Sequence, residues 1–467
     1  MAQQTSISDL PEGILLHILS FLPIRYAVQA SILSRTWRYL WTYMPNLDFD
    51  NFLYLFHHDH YVRRGFVFHE KRFADFVDGV LLFHKMSHIQ SFRITCFNYC
   101  DVYHAERWIN AAINKNVQEL ELEIPRNQVM KLPDSIFTCE SLVSLKLHDS
   151  LPTLPVSTSI CFTRLRTLHL VSITFSSRKN SFQKLLSHCP VLENLIIVGC
   201  KWLVINDDEV VDISPHLPPT LKNLSVNGSF ATEESAGIKI SMPNLISFEY
   251  INYFGKNYVL ENLSSLNDAS IDFKVNRRKG KRHEETFKRR HDESFFEVCK
   301  LLEGVSNAGI LTLSDSTLEV LSKAPNLLEL LPTFHNLNKL IISCGRKKKD
   351  FQLIAYLIQS SPVLESLVIN IKPSPNDDEE GHQESKRLFL EGLFLDHIKE
   401  MKIKEVKIRH FGGSEYELEF FKLFLKNAST MERLVINKGK DLPERFEIYM
   451  KVLMFQRASA SCTISIS

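Results

Sequence analysis

Phe182–Ile197 reads FQKLLSHCPVLENLII, a helical stretch stopped by Pro190 and followed by a short strand in which Leu192, Leu195 and Ile197 are spaced Leu-x-x-Leu-x-Leu. Tyr356–Ile369, YLIQSSPVLESLVI, repeats the arrangement. The frame Ser-x-x-Pro-Val-Leu-Glu-x-Leu runs from Ser187 to Leu195 and, one residue shorter, from Ser360 to Leu367. Working outward, the strand recurs at Val117/Leu120/Leu122, Leu142/Leu145/Leu147, Leu165/Leu168/Leu170, Leu221/Leu224/Val226 and Leu245/Phe248/Tyr250. After an interruption it resumes at Leu337/Leu340/Ile342, Leu364/Leu367/Ile369 and Met431/Leu434/Ile436. One match would be weak, but nine at steps of mostly 23 to 29 residues form an internal repeat.

A strand-plus-helix unit of this length has an apolar face that it cannot bury alone, so successive units stack into the curved solenoid of leucine-rich repeats. The fold class is therefore α/β. Side chains alternate between the faces of a strand, so the Leu positions point inward and the intervening ones line the concave surface. Those are Glu119, Glu121, Glu123, Ser144, Lys146, Thr167, His169, Asn223, Ser225, Asn227 and Lys339. Their mixed signs suit a protein ligand and dictate no single ligand class. Only Cys200 stands where the tidiest repeats place an Asn or Cys to bond the turn backbone, so irregular repeats are expected.

Two charged stretches break the pattern. RRKGKRHEETFKRRH, Arg277–His291, reads as a solvated insertion loop, and its clusters Arg277–Arg282 and Lys288–Arg290 also match a two-part nuclear-import signal. The acidic run Asn376–Glu380, near Pro373 and Pro375, marks a boundary loop. Ahead of the repeats, Phe73, Phe76, Val77, Val80 and Leu81 make one helical stripe and Trp108, Ile109, Ala112 and Ile113 another, with a short strand at Phe92, Ile94 and Cys96 between them.

The N-terminal run Ile7–Asp50, ISDLPEGILLHILSFLPIRYAVQASILSRTWRYLWTYMPNLDFD, predicts three short helices. Ser8 or Asp9 caps the first, Pro11 takes its first position, and Ile14, Leu15, Ile18, Leu19 and Leu22 recur at helical spacing until Pro23. Val28 and Ile32 mark the second. Ser34 is placed to cap a third, carrying Trp37, Leu40, Trp41 and Met44 up to Pro45. About 40 residues are too few to enclose all these side chains, so apolar surface is left over. It either packs on the rest of the chain or docks another protein.

Leu10-Pro11, Ile14-Leu15, Ile18-Leu19-Ser20, Leu22-Pro23, Ala27-Val28, Ser31, Leu33-Ser34, Trp37-Arg38, Leu40-Trp41 and Pro45 together resemble an F-box of the kind common in plants, matched without a gap. Thr36 departs from it, standing where relatives often carry a basic residue. The resemblance implies binding to a Skp1-like adaptor and, through it, to a cullin-based ubiquitin ligase. Candidate residues for the adaptor face or its support are Leu10, Pro11, Ile14, Leu15, Ile18, Leu19, Leu22, Leu33, Trp37 and Trp41. Which of them touch the adaptor and which fill the local core stays open at this point.

At the other end, Phe420, Phe421, Phe424 and Leu425 form a helical stripe, a helix spans about Phe446–Phe455, and Cys462, Ile464 and Ile466 alternate as a last strand. Ile408–Gly413, Phe424–Ala428, Met431-Glu432 and Arg457–Cys462 resemble the FBD domain that closes many plant F-box and leucine-rich-repeat proteins. The implied organisation is an F-box over residues 1–50, a transitional α/β segment over 51–116, irregular repeats over 117–393 with a basic loop at 277–291, and an FBD-like cap over 394–467.

The 467 residues, 44% apolar and 23% charged, are ample for a folded core, and a net charge of +1 points to neither nucleic acid nor an acidic membrane. No apolar run approaches a membrane span, and the start MAQQTSISDLPEG has no signal-peptide character, so nucleus or cytoplasm is expected. The nine cysteines are read as reduced core thiols. Cys96, Cys100 and His104 make a poor zinc set, and His57, His58 and His60 lie in a polar stretch, so no metal or cofactor is expected. Phosphate-binding glycine loops, GxSxG and HExxH are absent. The expectation is a non-catalytic substrate receptor whose repeats hold a target protein. The alternative is a leucine-rich-repeat scaffold without ubiquitination targets.

Overall fold

The computed structural model describes residues 7–51, 66–96, 101–124, 132–148, 161–176, 181–203, 210–228, 237–253, 258–274, 284–345, 347–372, 402–438 and 446–466. Cys100, the histidines at 57, 58 and 60, the stretch 277–283 and the acidic run at 376–380 lie outside them. The chain divides into two compact units, Met1–Ile205 with His216–Leu221, and Asn206–Pro215 with Lys222–Ser467.

In the first unit, helices α1 (Glu12–Ser20) and α2 (Ile24–Ala30) precede a 3-10 turn at Trp37–Tyr43. Strands β1 (Asn46–Asp50), β2 (Ser91–Thr95), β3 (Glu119–Glu123), β4 (Ser144–His148), β5 (Thr167–Val171) and β7 (Asn194–Val198) form a parallel ladder in that order. A short pair, β6 (Thr174–Ser176) and β8 (Lys201–Leu203), lies beside them. Helices α3 (Phe66–Phe83), α4 (Val102–Asn114), α5 (Asp134–Phe137) and α6 (Ser181–Ser187) provide the connections. The register stacks like on like: Leu47, Phe92, Leu120, Leu145, Leu168 and Leu195 form one buried row, and Phe49, Ile94, Leu122, Leu147, Leu170 and Ile197 the next. Each such side chain removed from water contributes about 1.5–3 kcal/mol, which is why alternate positions are apolar without exception along these rows.

The second unit continues the scheme with β10 (Asn223–Gly228), β12 (Ser247–Tyr253), β14 (Asp268–Lys274), β15 (Ile310–Leu313), β16 (Lys339–Cys344), β17 (Ser366–Ile371), β18 (Glu405–Phe411), β19 (Arg433–Lys438) and β20 (Thr463–Ile466), all parallel. A smaller sheet is built from β9 (Val210–Asp212), β11 (Gly237–Ser241) and β13 (Tyr258–Glu261). Its helices are α7 (Glu284–Gly304), α8 (Asp315–Leu321), α9 (Leu327–Leu330), α10 (Lys348–Gln359), α11 (Glu415–Asn427) and α12 (Phe446–Leu453). The chain enters successive strands by one repeated bond: Asp268 N–H to Ile246 O, Ile310 N–H to Asn267 O, Lys339 N–H to Gly309 O, Ser366 N–H to Asn338 O. That bond pins the register.

All nine sequence-predicted strands exist, and their marker side chains are at most 4% exposed. The ladder holds more than those nine. Strand β1, at the end of the stretch read as F-box, belongs to it with Leu47 and Phe49 buried, and β2 places the stretch read as transitional in the sheet as well. The apparent interruption before Leu337 contains β14 and β15, whose inward residues are Ala269, Ile271, Leu311 and Leu313. β18 supplies Val406 and Ile408. The expected basic loop also needs correction: from Glu284 onward, its residues form the first turns of α7.

β14 outlasts β15, and a side chain takes over where the ladder stops. Ser314 N–H still reaches Ile271 O at 3.2 Å, but the chain then turns into α8. Buried Thr317 accepts from Phe273 N–H at 2.9 Å and donates to Ile271 O at 3.0 Å, standing in for the missing strand. Thr317→Val removes both bonds in a dry environment and should cost about 1–3 kcal/mol. Thr317→Ser should recover most of it. Chemical denaturation of the three proteins checks this, and equal midpoints for Val and wild type would contradict it.

Cys200 meets its expectation. Its Sγ lies 3.5 Å from Leu170 O and 3.7 Å from Val198 O, and burial pushes the thiol up to about 12, so it acts as a neutral donor to the turn. The eight described cysteines are all free thiols.

Candidate protein-docking site

The N-terminal helices build their core from one side only. Pro11 occupies the N-cap position of α1 and Pro23 that of α2, so each helix begins where a missing N–H costs nothing. Neither Ser8 nor Asp9 caps α1. Instead Ser8 Oγ accepts from Trp37 Nε1 at 3.2 Å and donates to Ser34 Oγ at 3.3 Å, tying the two ends of the segment together. The third element is a 3-10 turn with Thr36 preceding it, and no side chain caps it. Trp37 and Leu40, three apart, fall on one face of such a helix, and both are buried.

Leu15, Leu19, Ile24, Ala27, Trp37, Leu40 and Met44 fill this core. The rear of the segment is fastened to the end of α3. Lys85 N–H donates to Thr42 O at 2.9 Å, and His84 Nε2 donates to Met44 O at 2.9 Å. Burial is the main cause that pushes the His84 imidazole down from its ordinary range, against the opposing effect of this bond to Met44.

What remains outside is strongly apolar. Ile7, Leu10, Ile14, Phe21, Leu22, Tyr26, Ile32, Leu33, Tyr39 and Tyr43 are exposed, and they are half of all exposed large hydrophobic residues among the described ones. Ile32 is 87% exposed, Phe21 74%, Leu33 70% and Ile14 47%. So much exposed apolar surface on one small unit has the character of an interaction site.

The ten sequence candidates therefore separate. Leu10, Pro11, Ile14, Leu22 and Leu33 face solvent, Ile18 and Trp41 are half-buried, and Leu15, Leu19 and Trp37 are core. Sequence reasoning passed over Ile7, Phe21, Tyr26, Ile32, Tyr39 and Tyr43 as surface residues. Lys85 Nζ lies 5.7 Å from the Tyr39 ring and 5.3 Å from that of Tyr43, so the segment just after α3 also borders the exposed face.

The outward face of the first unit's sheet carries a row of charged side chains. Asp48, Arg93, Glu121, Lys146 and His169 stand side by side on successive strands. Arg93 lies 3.7 Å from Asp48 and 3.6 Å from Glu121, and Lys146 Nζ is 2.8 Å from Glu121. Burial, followed by Lys146 and His148, pushes His169 down to about 4, against the pull of Glu121. An unfolded histidine titrates near 6.5, so the stability held by neutral His169 is complete above that pH and drains away as pH falls towards 4. Melting temperature should fall less steeply across this window in His169→Gln than in wild type. Parallel slopes would contradict the assignment.

A family profile described as F-box domain matches residues 7–49, the segment that carries the exposed face. A second, described as At1g61320/AtMIF1, LRR domain, matches residues 80–462. The chain belongs to the plant F-box/FBD/leucine-rich-repeat family. Among its curated relatives in Arabidopsis thaliana, the putative F-box/FBD/LRR-repeat protein At3g59240 is 30% identical over 470 residues, covering 98% of this chain and 89% of the relative. The putative F-box/LRR-repeat protein At3g59160 is 29% identical over 98% of this chain and 96% of its own length. The F-box/LRR-repeat protein At4g14103 is 30% identical over 78% and 90%. The repeat profile starts within α3 and runs through β19 and α12, in keeping with an uninterrupted order of strands inside the second unit. Among the described residues, no helix is long and apolar enough to cross a membrane.

Proposed function

We propose that this chain is the substrate-recognition subunit of an SCF-type cullin–RING ubiquitin ligase. Its F-box holds a Skp1-like adaptor, the adaptor links it to a cullin, and the repeats hold a target protein. The observation that carries the reading is the apolar face of Ile7–Tyr43, left over after the segment's own core is complete. The contacts are assigned to Leu10, Pro11, Ile14, Leu22 and Leu33, with Leu15, Leu19 and Trp37 supporting them from behind. The chain itself performs no chemistry. It acts by proximity, because two simultaneous binding events bring a target lysine to the ligase at high effective concentration.

The FBD-like region from residue 394 is assigned to closing the repeat array, and the nucleus or cytoplasm is the proposed site of action. Co-elution of the purified chain with a Skp1-like adaptor and a cullin tests the reading. A ternary complex is expected. If the folded chain elutes apart from the adaptor, the ligase role falls and the scaffold reading replaces it.

A further inference from the structure

In the first unit, the loop between α1 and α2 and the first three strands enclose a recess of about 400 Å³. Phe21 and Leu22 form its apolar wall, and Asp48, Arg93, Glu119 and Glu121 contribute charge from the strands. Arg93 is the one cation among the described lining residues, and it is already shared between Asp48 and Glu121. Glu119 is exposed and makes no ion pair among the described residues. The neighbouring strand positions add Asp50 and Glu123 on the same face. Carboxylates thus outnumber cations beside an aromatic surface, and burial together with Asp50 and Glu121 holds the Asp48 carboxyl above its ordinary range despite Arg93.

We propose that this recess docks a basic segment of the target protein, with the aliphatic stem of a lysine or arginine lying on Phe21, which is not among the assigned adaptor contacts, and its charged head reaching Asp48, Glu119 and Glu121. The fit is chemical. Long cationic side chains cover apolar surface with their stems, their heads bond carboxylates strongly, and an aromatic face attracts them further. The inference rests on the receptor reading only in calling the occupant a ubiquitination target. Docking itself requires no adaptor.

The test uses the full chain and a fluorescein-labelled peptide of four Lys-Ser-Gly repeats, with a Glu-Ser-Gly counterpart, read by fluorescence anisotropy. The lysine peptide should bind and the glutamate peptide should not. Glu119→Lys should weaken binding about tenfold or more and Phe21→Ser several-fold, with melting profiles unchanged, since both positions are exposed. Glu329→Lys, an equal charge change at an exposed site in the second unit, should leave affinity within about twofold.

Equal losses in Glu119→Lys and Glu329→Lys would reduce the effect to general charge attraction and overturn the site. So would a folded wild type that ignores the lysine peptide, or displacement of that peptide by saturating Skp1-like adaptor, which would place the recess beneath the adaptor. If the peptide binds as described while the adaptor does not bind at all, the docking site stands and the ligase role falls.

Discussion

Replacing both Ile14 and Leu33 by Asp is expected to abolish adaptor binding while leaving the melting profile of the chain unchanged. Both side chains are exposed, so a carboxylate there is solvated in the free protein and disturbs no packing. In a complex each would be driven into an apolar contact without a partner. Burying one such group costs several kcal/mol, and about 4 kcal/mol is a thousandfold in affinity. Leu15→Asp gives the instructive contrast. Leu15 is one residue from Ile14 but fully buried, so its carboxylate would break the F-box core, and binding would be lost together with the local fold. Ile246→Asp, an exposed apolar site in the second unit, serves as control and should bind as wild type does. Retained binding in the Ile14/Leu33 variant would move the docking face elsewhere.

Glu417→Ala should be among the most damaging single changes in the C-terminal region, lowering stability by about 3 kcal/mol or more. Glu417 is fully buried at the start of α11, where Oε2 accepts from Gly412, Gly413 and Ser414 N–H at 3.0, 2.5 and 3.2 Å. Ser414 Oγ returns the bond by accepting from Glu417 N–H, completing a capping box. Three backbone donors converge on one charged oxygen at the positive end of a helix, so each bond is charge-assisted and the loop geometry depends on all three. Gly413 is needed for the same turn. Its φ is +72°, and a Cβ there would stand 2.8 Å from Ile448 of α12. Glu417→Gln keeps the shape and one acceptor, so it should lose less than Glu417→Ala. Denaturant midpoints for both variants measure the difference, and an Ala variant as stable as wild type would contradict the role.

Much of this architecture is legible in the residues, and the failures have physical causes. Leu-x-x-Leu-x-Leu is conspicuous when every inward position is a large aliphatic. β14 escapes because Ala269 takes one of those positions, and β1 escapes because its pattern is Met44, Leu47 and Phe49 beside an F-box that already accounts for the hydrophobic run. A stacked strand tolerates such substitutions, since the neighbours above and below fill the space.

In the F-box the limitation is different. Ile14, Leu15, Leu16, Ile18 and Leu19 cover more than half of the circumference of α1, so spacing alone announces surplus apolar surface without saying which residues own it. Only the position of Trp37, bonded to Ser8 and packed against α1, divides core from surface. The 3-10 geometry of Trp37–Tyr43 is equally hidden, because i and i+3 share a face in both helix types. The recess under Phe21 is beyond sequence reasoning altogether, since it depends on bringing Asp48 and Glu119 together across strands far apart in the chain.

Calorimetric titration of the purified chain with a Skp1-like adaptor tests whether the exposed face of the F-box docks the adaptor. One-to-one binding with a submicromolar dissociation constant, about −8 kcal/mol or tighter, and a negative heat-capacity change from burial of apolar surface is the predicted result. A folded chain that releases no binding heat at several temperatures, and shows no complex by an independent method, would contradict it.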